Sequence, residues 1–165
     1  MEEKPVVILL RGDDRHAIQQ LLNGMEARLG DPATASLNLA RLEGRSASEE
    51  ELRTATMAMP FLADRRLVIL NNPLARTLNA ASRTRFISLL DAIPETTALV
   101  LVVEDHEKVR RSESEWETLN SRHWLVQWIG NSHGRGLIRD LALPRPEQMS
   151  GWIRKQAESL QGQFT

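Results

Sequence analysis

Cysteine is absent from the chain, which excludes a disulfide framework and any zinc site built on thiolates. Long apolar runs are missing too. No stretch approaches the ~20 residues that a membrane-spanning helix requires. The start, Met1-Glu2-Glu3-Lys4-Pro5, leads into no signal-peptide core, so a cytoplasmic protein is expected. Nor is there an excess of charge of one sign: 21 Lys and Arg stand against 22 Asp and Glu, for a net charge of -1. Phosphate backbones are gripped by clustered Lys and Arg. That balance argues against a nucleic-acid binder acting alone but leaves a local basic face open, and DNA is expected as at most an indirect partner. What the chain does have is a hydrophobic content of 41% over 165 residues, enough for one domain with a real core, or one domain and the start of another.

Short apolar runs mark the expected strands. Val6 to Leu10, Leu67 to Leu70 and Ala98 to Val103 are continuous, as in strands buried on both faces. Ser36 to Arg41 alternates and reads as a weaker strand. His123 to Ile129, with Trp124, Val126 and Trp128 on one face, reads as the fifth. Helical spacing lies between them. Ile18, Leu21, Leu22, Met25 and Leu29 share a stripe behind a cap at Asp13 or Asp14. Ser48 with Glu51 forms a capping box for a helix that ends near Pro60. A further helix is expected from Asn79 to Ala92, and a short one after a second capping box, Ser112 with Glu115. Apolar strands separated by helix-length segments pair in parallel through right-handed crossovers. The fold class is therefore α/β, a three-layer sandwich with a five-stranded parallel sheet over residues 1–130. Residues 131–145 read as a linker. Residues 146–165, with Pro146 at a helix start, a stripe of Met149, Trp152, Ile153, Ala157 and Leu160, and a stop at Gly162, read as the first helix of an incomplete helical domain.

Parallel α/β sheets bind ligands beyond the carboxyl ends of their strands. The first such loop is Arg11-Gly12-Asp13-Asp14. A phosphate cradle needs several glycines and a Lys-Ser or Lys-Thr pair. This loop has one glycine, no lysine, and two carboxylates that repel a triphosphate. The third strand ends in Asn71-Asn72 rather than an acidic magnesium ligand. Gly12, Asp13 and Asp14 thus form a degenerate nucleotide loop, and no ATP hydrolysis, cofactor or metal is expected. The competing reading is a magnesium-dependent receiver or phosphatase-like domain using Asp13 and Asp14. It needs an acceptor Asp after the third strand and a Lys after the fifth, where Asn71 or Asn72 and Gly130 or Asn131 stand. Glu104-Asp105 reads as a solvated loop, and the four histidines have no metal-ligand spacing.

One segment stands out. Met57, Met59, Pro60, Phe61 and Leu62 make an apolar knuckle between a helix end and the strand that Asp64-Arg65-Arg66 opens. Exposed apolar clusters mark partner sites. The stretch resembles the delta-subunit family of the bacterial DNA polymerase III clamp loader. In that pattern a Pro-Phe-Phe-like knuckle precedes an acidic residue, two arginines and an apolar strand. Leu62 departs from it at the second aromatic. Val7 to Gly12 with Asp13 and Asp14, Leu89 to Val102 with Ile93-Pro94, and Pro146 to Gly162 also resemble that family in order and spacing. The resemblance implies an AAA+ fold without ATPase chemistry, a non-catalytic accessory subunit of a DNA polymerase holoenzyme. It implies that Phe61, Pro60, Leu62, Met59 and Met57 bind the sliding clamp and help to open its ring. It also implies other loader subunits as partners, through a C-terminal domain absent from this chain. Another replication-associated AAA+ module with a different partner is the remaining alternative. Arg65, Arg66, Arg110 and Arg111 read as a solvated face rather than a DNA-binding patch.

Overall fold

In a computed structural model that describes residues 4–144 and 149–159, two apolar strands pair at the centre of a sheet. β1 (Val7–Gly12) lies parallel to β4 (Thr97–Glu104), from Val7↔Leu99 to Gly12↔Glu104. On the far side of β4 come β3 (Arg66–Asn71) and β2 (Leu39–Glu43), both parallel to it. The fifth strand, β7 (Gly136–Asp140), pairs with the other side of β1, giving the order β2-β3-β4-β1-β7. In terms of the five sheet strands this is 2-3-4-1-5. A receiver domain is wound 2-1-3-4-5, so the topology itself separates the chain from that alternative.

Alternation along the strands sorts side chains into two apolar layers, as a period of two requires. Leu10, Leu67, Ile69, Ala98 and Val100 pack under α1 (Arg15–Ala27), against Ile18 and Leu22. Leu9, Val68, Leu70, Leu99 and Leu101 face the other way. They meet Leu52 and Ala55 of α3 (Glu49–Met57), Phe86, Leu89 and Leu90 of α4 (Ala80–Ala92), and Leu125 and Ile129 of α5 (Trp124–Gly130). Helices therefore cover both faces, which is why the central strands read as unbroken apolar runs. The expected caps are in place. Asp14, of the pair Asp13 and Asp14, accepts the Ala17 N–H, and Ser48 accepts the Glu51 N–H; the structure adds a reciprocal box of Asn79 with Ser82 at the start of α4.

Four expectations are corrected. His123 to Ile129 is not a strand but the helix α5. The alternating Trp124, Val126 and Trp128 also contain the i,i+4 pairs Trp124/Trp128 and Leu125/Ile129, and in so short a window both periods fit. The fifth strand instead lies inside the stretch read as the linker 131–145. Gly136, at its start, lets α5 pack closely, since a Cβ there would meet the Ile129 side chain at 3.0 Å. Ser112 to Leu119 is not a helix. β5 (Glu107–Arg110) and β6 (Glu113–Trp116) form an antiparallel hairpin whose turn residues, Arg111 and Ser112, both have positive φ, as a two-residue turn that matches strand twist demands. Finally, Ser36 to Arg41 splits. α2 (Pro32–Leu37), capped by Asp31, runs up to Asn38, and β2 begins only at Leu39. α6 (Met149–Ser159) supplies part of the helix expected over 146–165; its predicted start at Pro146, with Leu160 and the stop at Gly162, lies outside the described residues.

α5 begins on a histidine cap that makes its stability depend on pH. The His123 Nδ1 accepts the Leu125 N–H at 3.1 Å, which only an unprotonated Nδ1 does. Burial pulls His123 below its ordinary value of 6.5, Arg83 pulls the same way, and Asp105 opposes them. The unfolded chain therefore takes up the proton first. Stability is complete above 6.5 and is lost as the pH falls through the lowered folded value. His123→Asn keeps a capping acceptor without a titrating ring. Urea denaturation at about pH 7.5 and about pH 5.5 is expected to show a loss on acidification that is smaller in the variant.

Candidate functional site

Parallel strands give the sheet two chemically different edges. Each strand is about six residues long, so the edges lie about 20 Å apart. The sequence candidates divide between them: the knuckle at the amino edge, the degenerate nucleotide loop at the carboxyl edge.

At the amino edge α3 ends at Met57, Ala58 is extended, and Pro60 forbids further helix. Met57 is partly buried and packs against the main core, so it is less exposed than the apolar residues that follow. Met59 is 72% exposed, Phe61 56% and Leu62 80%, with Pro60 half-buried between them. Leu37, at the end of α2, is exposed as well. Leu62 sits at φ 54, a left-handed conformation that costs a leucine roughly 1–3 kcal/mol unless its surroundings hold it.

The backbone beneath this cluster is held tightly. Asn38, wholly buried, donates its amide to the Phe61 carbonyl and accepts the Phe61 N–H, both at 2.7 Å. Arg66 donates to the carbonyls of Ala55 at 2.9 Å and Leu37 at 3.0 Å, closing the ends of α3 and α2. Arg65 reaches the carbonyls of Pro5 at 2.8 Å and Thr97 at 3.1 Å. Burial pulls its guanidinium below its ordinary value, partly offset by Glu95. The Thr97 hydroxyl donates to the Thr56 carbonyl at 2.9 Å. Arg65 and Arg66 are thus not a solvated face but internal ties. Arg110 and Arg111 lie in the hairpin beyond the opposite edge of β4, so the four arginines do not form one patch. Asn38, the residue that holds the knuckle, went unnoticed in the sequence, where it reads as one polar position of an alternating strand. No local signal would have found it.

At the carboxyl edge the loop after β1 is filled by its own chain. Gly12 has φ +147, and a Cβ there would lie 2.1 Å from the Leu141 carbonyl oxygen. The Asp14 N–H donates to that same carbonyl at 2.9 Å, and the Leu141 N–H donates to Arg11. Asp13 accepts the Leu143 N–H at 2.8 Å and meets the His106 ring at 3.2 Å. Burial disfavours the Asp13 carboxylate, but the hydrogen bonds from Leu143 and His106 outweigh it and hold the group below its ordinary 3.8. Asp14 is spent on capping α1. In a phosphate cradle the backbone N–H groups are free to meet oxygens; here the strap Leu141–Leu143 occupies that position.

The rest of this edge is structural too. Asp105, read from the sequence as solvated, is buried and accepts the N–H groups of His106, Thr118 and Leu119, closing the base of the hairpin excursion. Arg11 bridges Asp140 at 2.5 Å and the Leu119 carbonyl at 2.6 Å, with its guanidinium over the Trp116 ring. Glu104 pairs with Arg15, and Asn72, left-handed at φ 52, donates to both oxygens of Glu43. Among the described residues no group of three or more His, Asp or Glu is placed to hold a metal ion.

A family model described as DNA polymerase III, delta subunit, matches residues 9–127, well over half of the chain. Among solved structures the chain is similar to the Bacillus subtilis DNA clamp loader delta protein (YqeN). The TM-score is 0.69 at 18% identity, over 96% of this chain and 44% of that one. It also aligns with a DNA polymerase III gamma subunit-related protein from Thermotoga maritima, with a TM-score of 0.49 at 15% identity, over 97% of this chain and 49% of that one. The chain spans less than half the length of either. No curated protein matches it.

The closed loop predicts a large response to a small change. Gly12→Ala adds a methyl group against the Leu141 carbonyl and forces an alanine to a positive φ. It is expected to destabilise the fold by more than ~2 kcal/mol, read as a lower midpoint in urea denaturation. An unchanged midpoint would mean that the strap does not sit on Gly12.

Proposed function

The chain belongs to the DNA polymerase III delta subunit family, and from that premise we propose that its knuckle grips the sliding clamp. The exposed, rigidly backed cluster of Met59, Phe61 and Leu62 carries this reading, with Pro60 shaping it. Monomeric proteins rarely leave three large apolar side chains together in water without a partner. Fully burying each contributes roughly 1.5–3 kcal/mol before the costs of association, so a few anchors suffice to dominate an interface. Met57, packed inward, is left out of the contact and acts as support for α3.

The clamp is a closed ring, and a subunit shifts its opening equilibrium only by binding the open or strained form more tightly. A knuckle of fixed shape does this if its pocket on the clamp matches best when the ring interface is relaxed. No nucleotide chemistry of this domain's own is proposed. The strap on Gly12, the committed carboxylates of Asp13 and Asp14, and the amides Asn71 and Asn72 support an AAA+-like module that has given up its phosphate site. ATP would be bound and hydrolysed by other loader subunits, joined through a C-terminal domain beyond this chain. α6 would open the helical domain between the two parts. Replication places such a protein in the cytoplasm, with DNA reached through the clamp.

A pull-down or surface binding assay with the sliding clamp of the same cell tests the reading. Phe61→Ala with Leu62→Ala is expected to weaken binding by at least about a hundredfold, two anchors at the lower burial figure. Undiminished binding by the double variant would remove the proposed anchors. A fluorescent ATP analogue is expected not to bind at all, and saturable binding would overturn the non-catalytic assignment.

A further inference from the structure

A loop that presents apolar side chains to water tends to fold back and bury them. Around Phe61 that tendency is opposed by one side chain. The Asn38 carboxamide lies against the Phe61 peptide groups as a neighbouring strand would. It donates to the carbonyl and accepts the N–H, each at 2.7 Å, across 23 residues of sequence. Its second N–H goes to the Thr34 carbonyl at 3.0 Å, and its own backbone carbonyl accepts the Leu67 N–H at 2.8 Å, where β3 begins. Asn38 is wholly buried, and its amide has one workable orientation: flipped, its oxygen would face two carbonyls. Immediately after the clasped residue, Leu62 takes its left-handed φ. Phe61 and Leu62 are both exposed there, and such a conformation persists only where neighbours impose it.

We infer that Asn38 is a positioning residue for partner binding. Its amide clamps the Phe61 peptide, holds the strained turn at Leu62, and keeps the knuckle in its displayed form before the partner arrives. The inference rests on the reading of the knuckle as the docking tooth, and adds to it the device that sets the tooth. Pre-organisation of this kind acts through the population of the competent form: if loss of the clasp leaves a tenth of molecules displayed, the apparent dissociation constant rises about tenfold.

Two measurements on the 165-residue chain test it. Amide hydrogen exchange in the unaltered protein is expected to find the Phe61 N–H protected although its side chain is exposed; free exchange there would overturn the clasp whatever the variants do. Asn38→Asp keeps the shape but sets a carboxylate oxygen against two carbonyls, and Asn38→Ala removes the group. In both, the Phe61 amide is expected to lose its protection while those of Val68 to Leu70 keep theirs, and clamp binding is expected to weaken about tenfold. A merely structural Asn38 would instead lower protection across the core strand and leave the affinity of the folded fraction unchanged, which sinks the inference. Phe61→Ala is the control that separates the two levels. If it leaves clamp binding intact, the docking assignment itself is wrong. If it abolishes binding while folded Asn38 variants bind normally, only the positioning role fails.

Discussion

Backbone groups at the ends of a buried parallel sheet have to find partners, and in this molecule almost every polar side chain of note is occupied with that task. β1 and β4 are covered on both faces, so the peptide groups of the chain that enters and leaves them need partners within the protein. An unpaired buried N–H or carbonyl costs about as much as a lost hydrogen bond. Arg65 answers that demand beside β1 and β4, while Arg66, Thr97 and Asn38 do the same for the ends of α2 and α3 and the loop at Phe61; at the other edge Arg11, Asp13, Asp14 and Asp105 pair loop groups and the start of α1. The distribution of charge follows from it: arginines reach carbonyls, carboxylates collect N–H groups.

The two edges meet the same demand with opposite consequences. At the carboxyl edge the chain itself returns after β7 and lays Leu141–Leu143 over the loop. There the Asp14 N–H faces the Leu141 carbonyl and the Ala17 N–H the Asp14 carboxylate, so the end of the sheet where α/β folds usually hold ligands is joined internally. At the amino edge the polar groups are satisfied from below, by Asn38 and the two arginines. The apolar side chains are then left with nothing to cover. An exposed apolar cluster stands there on a backbone whose polar groups are already paired.

Much of this was legible from residues alone. Continuous runs such as Ala98 to Val103 announce strands covered on both faces, since a half-exposed strand would alternate. The capping box at Ser48 and a cap at Asp13 or Asp14 are local chemistry, and the structure has Ser48 and Asp14 in those roles. The missing lysine and glycines of the first loop, with Asn71 and Asn72, spoke against a phosphate site, and the order of elements pointed to the delta-subunit family. Where local signals misled, distant packing prevailed. Trp124 to Ile129 carries both periods, and contact of Leu125 and Ile129 with the core selects the helix. Gly136, inside the stretch read as a linker, starts β7 with Ile129 packed against it. A capping box at Ser112 gave way to a hairpin whose base Asp105 closes from outside.

By itself, then, the sequence determined which stretches are apolar enough to be the central strands, which residues cap α1 and α3, and that the first loop carries one glycine and no lysine, because each depends on neighbours a few positions apart. Only the tertiary structure decided which arginines are ties rather than a surface, that the strap seals Gly12, and that Met57 packs against the core while Phe61 and Leu62 stay in water. Those outcomes depend on pairs such as Asn38 with Phe61 and Gly12 with Leu141, brought together by strand order across dozens of residues, and no spacing along the chain encodes such a meeting.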